Sequence, residues 1–515
     1  MSIDTGNPDI ELRWDNTLRY NAAVRAEKIN STYYNSPGTD ETEGRFGRGD
    51  MIMNRLDLVT ELDLIYKGRY GFRVSGAAWR DFAYDNDAKG NPAFPSNYEN
   101  GRFNSYTKRY IVGLSGELLD AFVFGSFDIG DTVLSVKAGR HNLYWGEALF
   151  STTNSIAYSM AGVDGLKAAS SPGIEAKETF MPRNQISANW MLTDDIAVAA
   201  QYAFEWDPFR IAPGGTFFSA SDATRSDFSS ATVNPITGVR SFLPNGRDLR
   251  PDDAGDFGVN LRWSPPAMGG TLGFYYRKFD EKLPQAFMQV ESTGRRSVRF
   301  GYARDTQLYG VSLSGNIGTV AVAGEVSYRK DSALNSISAR PGQVAAPGST
   351  FTYKQAQGAR GDTVHAIVNG VWLMPRTSLW AGGTLTAEVN YSRLLDVTEN
   401  RHLYNGNGYA CTGGVKAGCA TRDAWGMNVG VTPQIPQAFP SWDLSFPVSV
   451  AYQIKGNGPT LGGGAEGATT WSVGVSGTYR SKHEFSLRFT DYEGGRRPSI
   501  SEDHAWAGFT YKTVF

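Results

Sequence analysis

The residues able to do chemistry are few and poorly spaced for it. Five histidines, His141, His365, His402, His483 and His504, stand far apart, without the paired spacing that brings two imidazoles to one metal. No Gly-x-Ser-x-Gly elbow sits at a strand-to-helix turn, and no glycine-rich phosphate loop is followed by Lys and Ser. A serine and a histidine on neighbouring strands need only meet in space, so a membrane hydrolase is the enzyme that spacing leaves open. The expectation is a protein with no catalytic residues, no metal and no cofactor. Cys411 and Cys419 lie in the glycine-rich stretch 405–421. In an oxidising compartment they pair, and otherwise they are two unlinked thiols.

What remains is binding. Arg140, Glu147, Glu205 and Arg262, with the aromatics Trp145, Phe150, Tyr158, Phe209, Phe217 and Phe218, are the candidates to line a path for a small molecule. Lys137 reads as lumen-facing, Arg140 as lying at the end of the same strand near Glu147, and Glu205 as facing inward beside Gln201. Such charges either line a path or tie loops to a wall, and the tie is the commoner role. Trp145 stacks on a ligand or simply packs at a strand end. The remaining polar-face charges are mixed: Arg13, Arg73, Arg329, Arg488 and Lys512 against Asp57, Glu61, Asp63, Glu325, Glu388 and Asp443. No strong preference for cations or anions follows. Lys and Arg total 50 against 52 Asp and Glu, a net charge of −2, which removes nucleic acid as a partner because no basic excess exists to meet phosphates.

The elements that must position these residues are strands. In 442–453, Trp442, Leu444, Phe446, Val448, Val450 and Tyr452 share one face, and Asp443, Ser445, Pro447, Ser449, Ala451 and Gln453 the other. Only extended chain sends successive side chains to opposite faces. Aromatics bracketing aliphatics suit a lipid-facing strand whose ends reach the headgroups. Leu56, Leu58, Leu62, Leu64 and Tyr66 likewise oppose Asp57, Glu61 and Asp63, and Val320, Val322, Val326 and Tyr328 oppose Glu325, Ser327 and Arg329. Charges on one face are costly in a dry core and cheap against a wet lumen.

This period predicts about eighteen antiparallel strands closing one transmembrane β-barrel over 1–515. They fall near residues 9–26, 51–66, 69–85, 108–124, 132–143, 181–192, 195–206, 254–266 and 271–279, then 306–316, 319–329, 360–375, 380–393, 422–435, 442–453, 468–480, 483–493 and 502–515. Short connections such as Lys67-Gly68, Thr193-Asp194 and Ser481-Lys482 alternate with long ones. That alternation of periplasmic turns with extracellular loops puts both termini in the periplasm. The last strand carries Ala507, Phe509, Tyr511, Thr513 and the terminal Phe515 on one face. No apolar run approaches the roughly 18 residues a membrane helix needs. The aromatic content of 13% beside 59 glycines fits girdled, close-packed strands better than an ordinary enzyme. Met1 opens a polar segment with no apolar leader, so it is expected to stand where a signal peptide has been removed.

A barrel this wide leaves a water-filled channel unless something folds into it. Two loops, 144–180 and 207–253, are the candidate plug or constriction. The first carries Trp145, Ala148, Leu149, Phe150, Ile156, Ala157, Tyr158, Met160 and Val163, and the second Phe209, Ile211, Ala212 and the pair Phe217-Phe218. Such residues must bury themselves, either inward as a constriction or greasy pocket, or among the loops as a cap.

Several of these stretches are similar to one known family. Gly139-Arg140, Trp145-Gly146-Glu147 with Phe150, Pro172-Gly173-Ile174-Glu175 with Glu178 and Pro182, Phe204-Glu205-Trp206-Asp207-Pro208 and Gly214-Gly215-Thr216-Phe217-Phe218-Ser219 carry the resemblance. So do the opening Ile3-Asp4-Thr5-Gly6-Asn7 and Leu12-Arg13-Trp14-Asp15-Asn16-Thr17. They resemble a proteobacterial family under the domain-of-unknown-function 1302 label, over essentially the whole chain. The resemblance implies an outer-membrane protein handling hydrophobic compounds such as lipids, alkanes or sterols, in the company of a periplasmic or lipoprotein partner and an inner-membrane pump. It supplies no catalytic residues.

The leading expectation is therefore a bacterial outer-membrane channel for hydrophobic or amphipathic small molecules, touching membrane lipid and lipopolysaccharide. A general diffusion porin for polar solutes and a structural or adhesive surface protein are the alternatives.

Overall fold

The computed structural model describes residues 2–170, 179–290, 293–337, 358–496 and 499–515. The motif Pro172-Gly173-Ile174-Glu175 and Glu178 lie outside the described residues.

Eighteen antiparallel strands close on themselves, each paired to its sequence neighbours. In chain order they are β1 (Ile10–Arg25), β2 (Met51–Tyr66), β3 (Tyr70–Asp81), β4 (Gly113–Ile129), β5 (Thr132–His141), β6 (Arg183–Met191), β7 (Ile196–Ala203), β8 (Phe257–Trp263) and β9 (Gly270–Phe279). There follow β10 (Thr306–Ile317), β11 (Val320–Ala333), β12 (Arg360–Met374), β13 (Gly382–Glu399), β14 (Asp423–Phe439), β15 (Trp442–Ser445 continued as Val448–Lys455), β16 (Thr469–Tyr479), β17 (His483–Glu493) and β18 (Trp506–Val514). β18 closes onto β1 from Thr17↔Val514 to Arg25↔Trp506, and the stub Ser2–Ile3 extends that seam by pairing with Arg13 and Leu12. Closure leaves no free sheet edge, which a hydrocarbon environment would not tolerate.

The sequence period is realised along the walls. Leu313, Val326, Val368 and Leu487 point outward with 49%, 53%, 66% and 56% of their surface exposed. A belt of such side chains is a liability in water and the ordinary condition against acyl chains. Aromatics close the belt at both rims. Trp442 lies 5.2 Å from Tyr479 and 5.6 Å from Phe485 at the short-turn end, and Tyr276, Tyr309 and Tyr328 form a run at the other. Both termini sit at the short-turn end, where Asn16 and Phe515 exchange backbone hydrogen bonds.

Strand ends shift by a few residues in several places, most at β13, which runs on to Glu399, and at β18, whose approach at Ile500–Asp503 is a helical turn; two departures have a plain cause. β4 begins at Gly113 rather than near 108, because Lys108–Val112 is a helical turn. Tyr110 there packs 4.9 Å from Tyr106 and beneath the Arg210 guanidinium, so loop packing removes it from the wall. In β15 the pattern runs on unbroken but the ladder does not, since Pro447 has no N–H to give. The wall stays shut: Phe446 N–H reaches the Pro433 carbonyl and Gly474 N–H reaches that of Pro447.

At the long-loop end the connections fold into a roof. Over β1, β2 and β18, Phe46, Tyr84, Tyr98, Phe103 and Phe217 form one buried cluster, and over β11 to β14, Phe287, Leu334, Leu403 and Tyr404 form another. Cys411 and Cys419 are joined as a disulfide in the loop after β13. The first cluster rests on a knot of acids. Asp222 accepts the N–H groups of Glu41 and Thr42, Asp40 accepts that of Asn91, and Glu41 accepts Ser96 Oγ and Asn97 N. Burial, reinforced by repulsion from Asp222, pushes Asp40 up to about 7 and Glu41 up to about 8, and burial raises Asp222 as well.

Acids whose folded pKa exceeds the unfolded one stabilise the fold while protonated, and that stability is lost as pH rises through the folded value. The roof over residues 40–44 should therefore be tightest in mild acid. Hydrogen exchange, corrected for intrinsic rate, should show protection of these amides falling between about pH 5 and pH 9. Asp222→Asn, which removes one repelling charge, should flatten the dependence; equal protection across that range in the native chain would contradict it.

Candidate functional site: a loop across the lumen

The connection between β5 and β6 enters the barrel, and its segment 145–158 crosses to the opposite wall. Its contacts run from β8 through β14, and β14 stands nine places from β5 in a ring of eighteen, which is directly across the lumen. A chain inside a barrel has no strand neighbour, so its peptide groups must find other partners. Charged side chains on the far wall provide them. Glu325 of β11 accepts the N–H groups of Glu147 at 2.6 Å and Ile156 at 2.7 Å. Glu388 of β13 accepts those of Leu149 at 2.6 Å, Ser151 at 2.7 Å and Phe150 at 3.3 Å. The carbonyls go to cations: Arg277 of β9 donates to Ile156 and Tyr158, and Arg329 of β11 to Thr153 and Ser155.

All four charged residues are buried, none more than 4% exposed. An unpaired charge there would be severely destabilising, whereas a hydrogen bond to a charged group contributes about 1.5–3 kcal/mol. The exchange meets the loop's peptide groups while leaving Arg277 Nε and Nη2 and Arg329 Nε without a partner among the described residues. This corrects the expectation for Glu325, Glu388 and Arg329, which face peptide rather than water because the loop fills the space in front of them. Polar side chains complete the seam: Asn369 donates to the Glu147 carbonyl, His365 bonds Asn154, and Asn390 bonds both Ser151 and Asn154.

Glycines give the loop its room. A Cβ on Gly258 of β8 would lie 2.8 Å from the Trp145 ring, and one on Gly310 of β10 would lie 2.8 Å from Ile156. Gly146 has φ +97°, and a Cβ there would meet Glu325 at 2.5 Å. Trp145, Ile156, Tyr158 and Met160 then pack with Tyr275, Phe279 and Leu308 of the wall as a buried cluster within the barrel. Tyr158 also donates to Glu281 at 2.6 Å.

Two cavities adjoin the crossing segment. One, of about 370 Å³, is lined by Leu143, Tyr144, Ala148, Leu149, Ala157, Met160, Ala161 and Phe180 with Asn142 and Thr152, and is largely apolar. The other, of about 170 Å³, lies between Phe150, Ser151, Thr153 and Asn154 and the walls β13 to β15.

The candidate residues separate into groups. Trp145 and Tyr158 are buried anchors of the crossing segment, 7% and 3% exposed. Phe150 is 45% exposed and lines the smaller cavity. Glu147 reaches Ser312 of β10, and burial raises its carboxyl above the usual range, with Arg262 nearby opposing that rise. Alternation puts Arg140 with Val136 and Ala138 on the outer face, since Gly139 and His141 face in. The Glu205 carboxylate lies 2.6 Å from the Arg140 guanidinium and accepts Asn184 N–H at the rim, so the pair ties loop to wall, the commoner of the two roles expected of it. Phe217 and Phe218 belong to the roof, Phe217 stacked on His504 at 4.5 Å and Phe218 edge-on to Trp506. Phe209 sits among the long-loop connections, its N–H bonded to the Lys282 carbonyl. The two long loops are joined through Arg210, which pairs with Asp164 and with Glu117 of β4, while Lys167 takes the same Glu117.

Arg277, the amides Asn369, Asn390 and Asn428, and Glu281 just beyond β9 hold the crossing segment, and spacing alone did not single them out. The signal for the first four was positional: a charge and amides on inner faces of strands, facing a loop too apolar for solvent. The His141 ring does meet Ser187 at 2.8 Å, but its other nitrogen faces the Gly139 carbonyl, and both residues are buried. Among the described residues no group of three or more His, Cys, Asp or Glu is placed to hold a metal ion.

A closed antiparallel barrel with an apolar belt, its lumen crossed by its own loop, is a transmembrane β-barrel of the constricted kind. The chain belongs to the family described as Protein of unknown function (DUF1302), which matches residues 2–515. None of the curated proteins matches it. Among solved structures, Acinetobacter baumannii OccAB4 is 9% identical, with 98% of each chain covered and a TM-score of 0.44. Pseudomonas aeruginosa OpdK with vanillate is 9% identical over 98% of each chain, TM-score 0.40, and a BenF-like porin from Pseudomonas fluorescens Pf-5 is 9% identical over 98% of each, TM-score 0.41. Vanillate belongs to that structure, and nothing about cargo is carried from it to this chain.

Replacing Glu325 and Glu388 together by Ala strips five loop N–H groups of their acceptors. Gly310→Val pushes Ile156 off the wall. Each change should raise conductance in planar bilayers several-fold over the native protein, and unaltered conductance in both would show that the segment does not constrict the pore.

Proposed function

We propose that this protein is a bacterial outer-membrane channel for hydrophobic or amphipathic small molecules. The short-turn end, with both termini, faces the periplasm, and the roofed end faces outward. Closed barrels with apolar belts and this alternation of connections belong to outer membranes. The observation that carries the cargo reading is the apolar cavity of about 370 Å³ beside the crossing segment, inside a barrel that would otherwise hold water. A greasy molecule gains there what it loses on leaving a membrane or a carrier, roughly 25 cal/mol for each Å² of apolar surface buried. The periplasmic half below is lined by paired charges, among them Arg73 with Asp63 at 2.6 Å, and lets a bound molecule continue toward a periplasmic acceptor.

A general diffusion porin asks for an unobstructed lumen, and the crossing segment disfavours it. An adhesive surface protein asks nothing of the lumen, so it leaves the cavity and the seam around it without a purpose.

Ala148→Trp and Ala161→Trp fill the cavity. In nanodiscs they should reduce binding of a fluorescent alkyl or sterol probe by at least tenfold while the barrel keeps its heat-resistant migration. Native protein that binds neither probe would remove the support for this reading.

A further inference from the structure

The smaller cavity differs from its neighbour in chemistry. The segment 149–154 partitions them: Leu149 and Thr152 line the apolar side, while Phe150, Ser151, Thr153 and Asn154 line the other. The polar side chains facing these last four are Asn390, Ser392, Asn428 and Gln453, beside Ala424 and three glycines, so no charged side chain lines the cavity.

Four polar atoms are left to it. Asn390 is engaged by Ser151 and Asn154, Asn428 donates to Ser151 and Gln453 donates to the Gly456 carbonyl, but the amide oxygens of Asn428 and Gln453, Ser392 Oγ and Thr153 Oγ1 have no hydrogen-bond partner among the described residues. A hydroxyl both gives and accepts, and an amide oxygen accepts, so the set matches a group with hydroxyls of its own. The exposed ring of Phe150 offers an apolar surface for the carbons bearing them.

Charge narrows the class further. Two charged side chains stand behind the lining residues. Glu388 has its oxygens occupied by the N–H groups of Leu149, Phe150 and Ser151 and by Asn369, and Arg329 donates from both terminal nitrogens to the carbonyls of Thr153 and Ser155. A carboxylate or phosphate seated here would find the one adjoining guanidinium already committed to the crossing segment. An ammonium would find no free carboxylate oxygen to take its N–H groups.

We propose that the smaller cavity receives the uncharged, hydroxyl-bearing head of the passing molecule, with its apolar remainder on the side of the larger cavity. At about 170 Å³ it has room for about five or six waters, the size of a glycerol-like head rather than a large sugar. The inference rests on the channel reading above and adds the head-group class to it.

The test uses the full-length protein in nanodiscs and three ligands of one chain length: a monoacylglycerol, the corresponding fatty acid and the alkyltrimethylammonium. Each is titrated against a bound fluorescent alkyl probe. The monoacylglycerol should bind at least tenfold more tightly than either charged analogue, about 1.4 kcal/mol. Ser392→Ala should weaken it without affecting an alkane of the same length, and Asn428→Asp should shift preference to the ammonium. Equal or tighter binding of the fatty acid or the ammonium to native protein overturns the head-group assignment and leaves the channel reading intact. Failure of all three ligands and of the alkane overturns both.

Discussion

The interior depends on an exchange between buried wall charges and the peptide groups of one loop. Glu325 and Glu388 take its N–H groups, and Arg277 and Arg329 take its carbonyls. Neither party is tolerable alone: the charges would be stranded behind a loop that excludes water, and the loop would carry unmet polar groups through the lumen. Together they fix an irregular segment as firmly as a strand. The cavities on either side exist because that segment is held in place rather than left to collapse.

The same exchange accounts for the small residues around it. Gly258 and Gly310 lie on inner faces that a barrel wall could fill with larger side chains, and each is kept small by a side chain of the loop. Apolar packing by Trp145, Ile156 and Tyr158 adds area burial, but its direction is set by the charged seam, since hydrophobic contact alone specifies no register.

Strands were the most legible feature of the sequence, because lipid on one side and polar interior on the other force a period of two. Met51–Tyr66 and His483–Glu493 coincide with the ranges read from alternation. The exceptions have local causes, at Tyr110 through loop packing and at Pro447 through its missing donor. The site was less legible. Apolar content marked the crossing loop, but alternation reports only that Glu325 faces inward and not what stands before it. For Arg140 and Glu205 the sequence left open a path or a tie and could not name the partner, because pairing across the rim is set only once the strands are in register. The acids of the roof left no sequence signal, since Asp40, Glu41 and Asp222 meet only after distant loops fold together.

The central claim concerns how firmly the crossing segment is held, and amide hydrogen exchange in nanodiscs reads that most directly. The amides of Glu147, Leu149, Ser151 and Ile156 should exchange as slowly as those in the middle of β11 and β13, because buried carboxylates occupy them. Exchange as fast as in solvent-exposed turns such as Lys67–Arg69 would mean that the wall does not hold the loop, and the account built on that seam would fall.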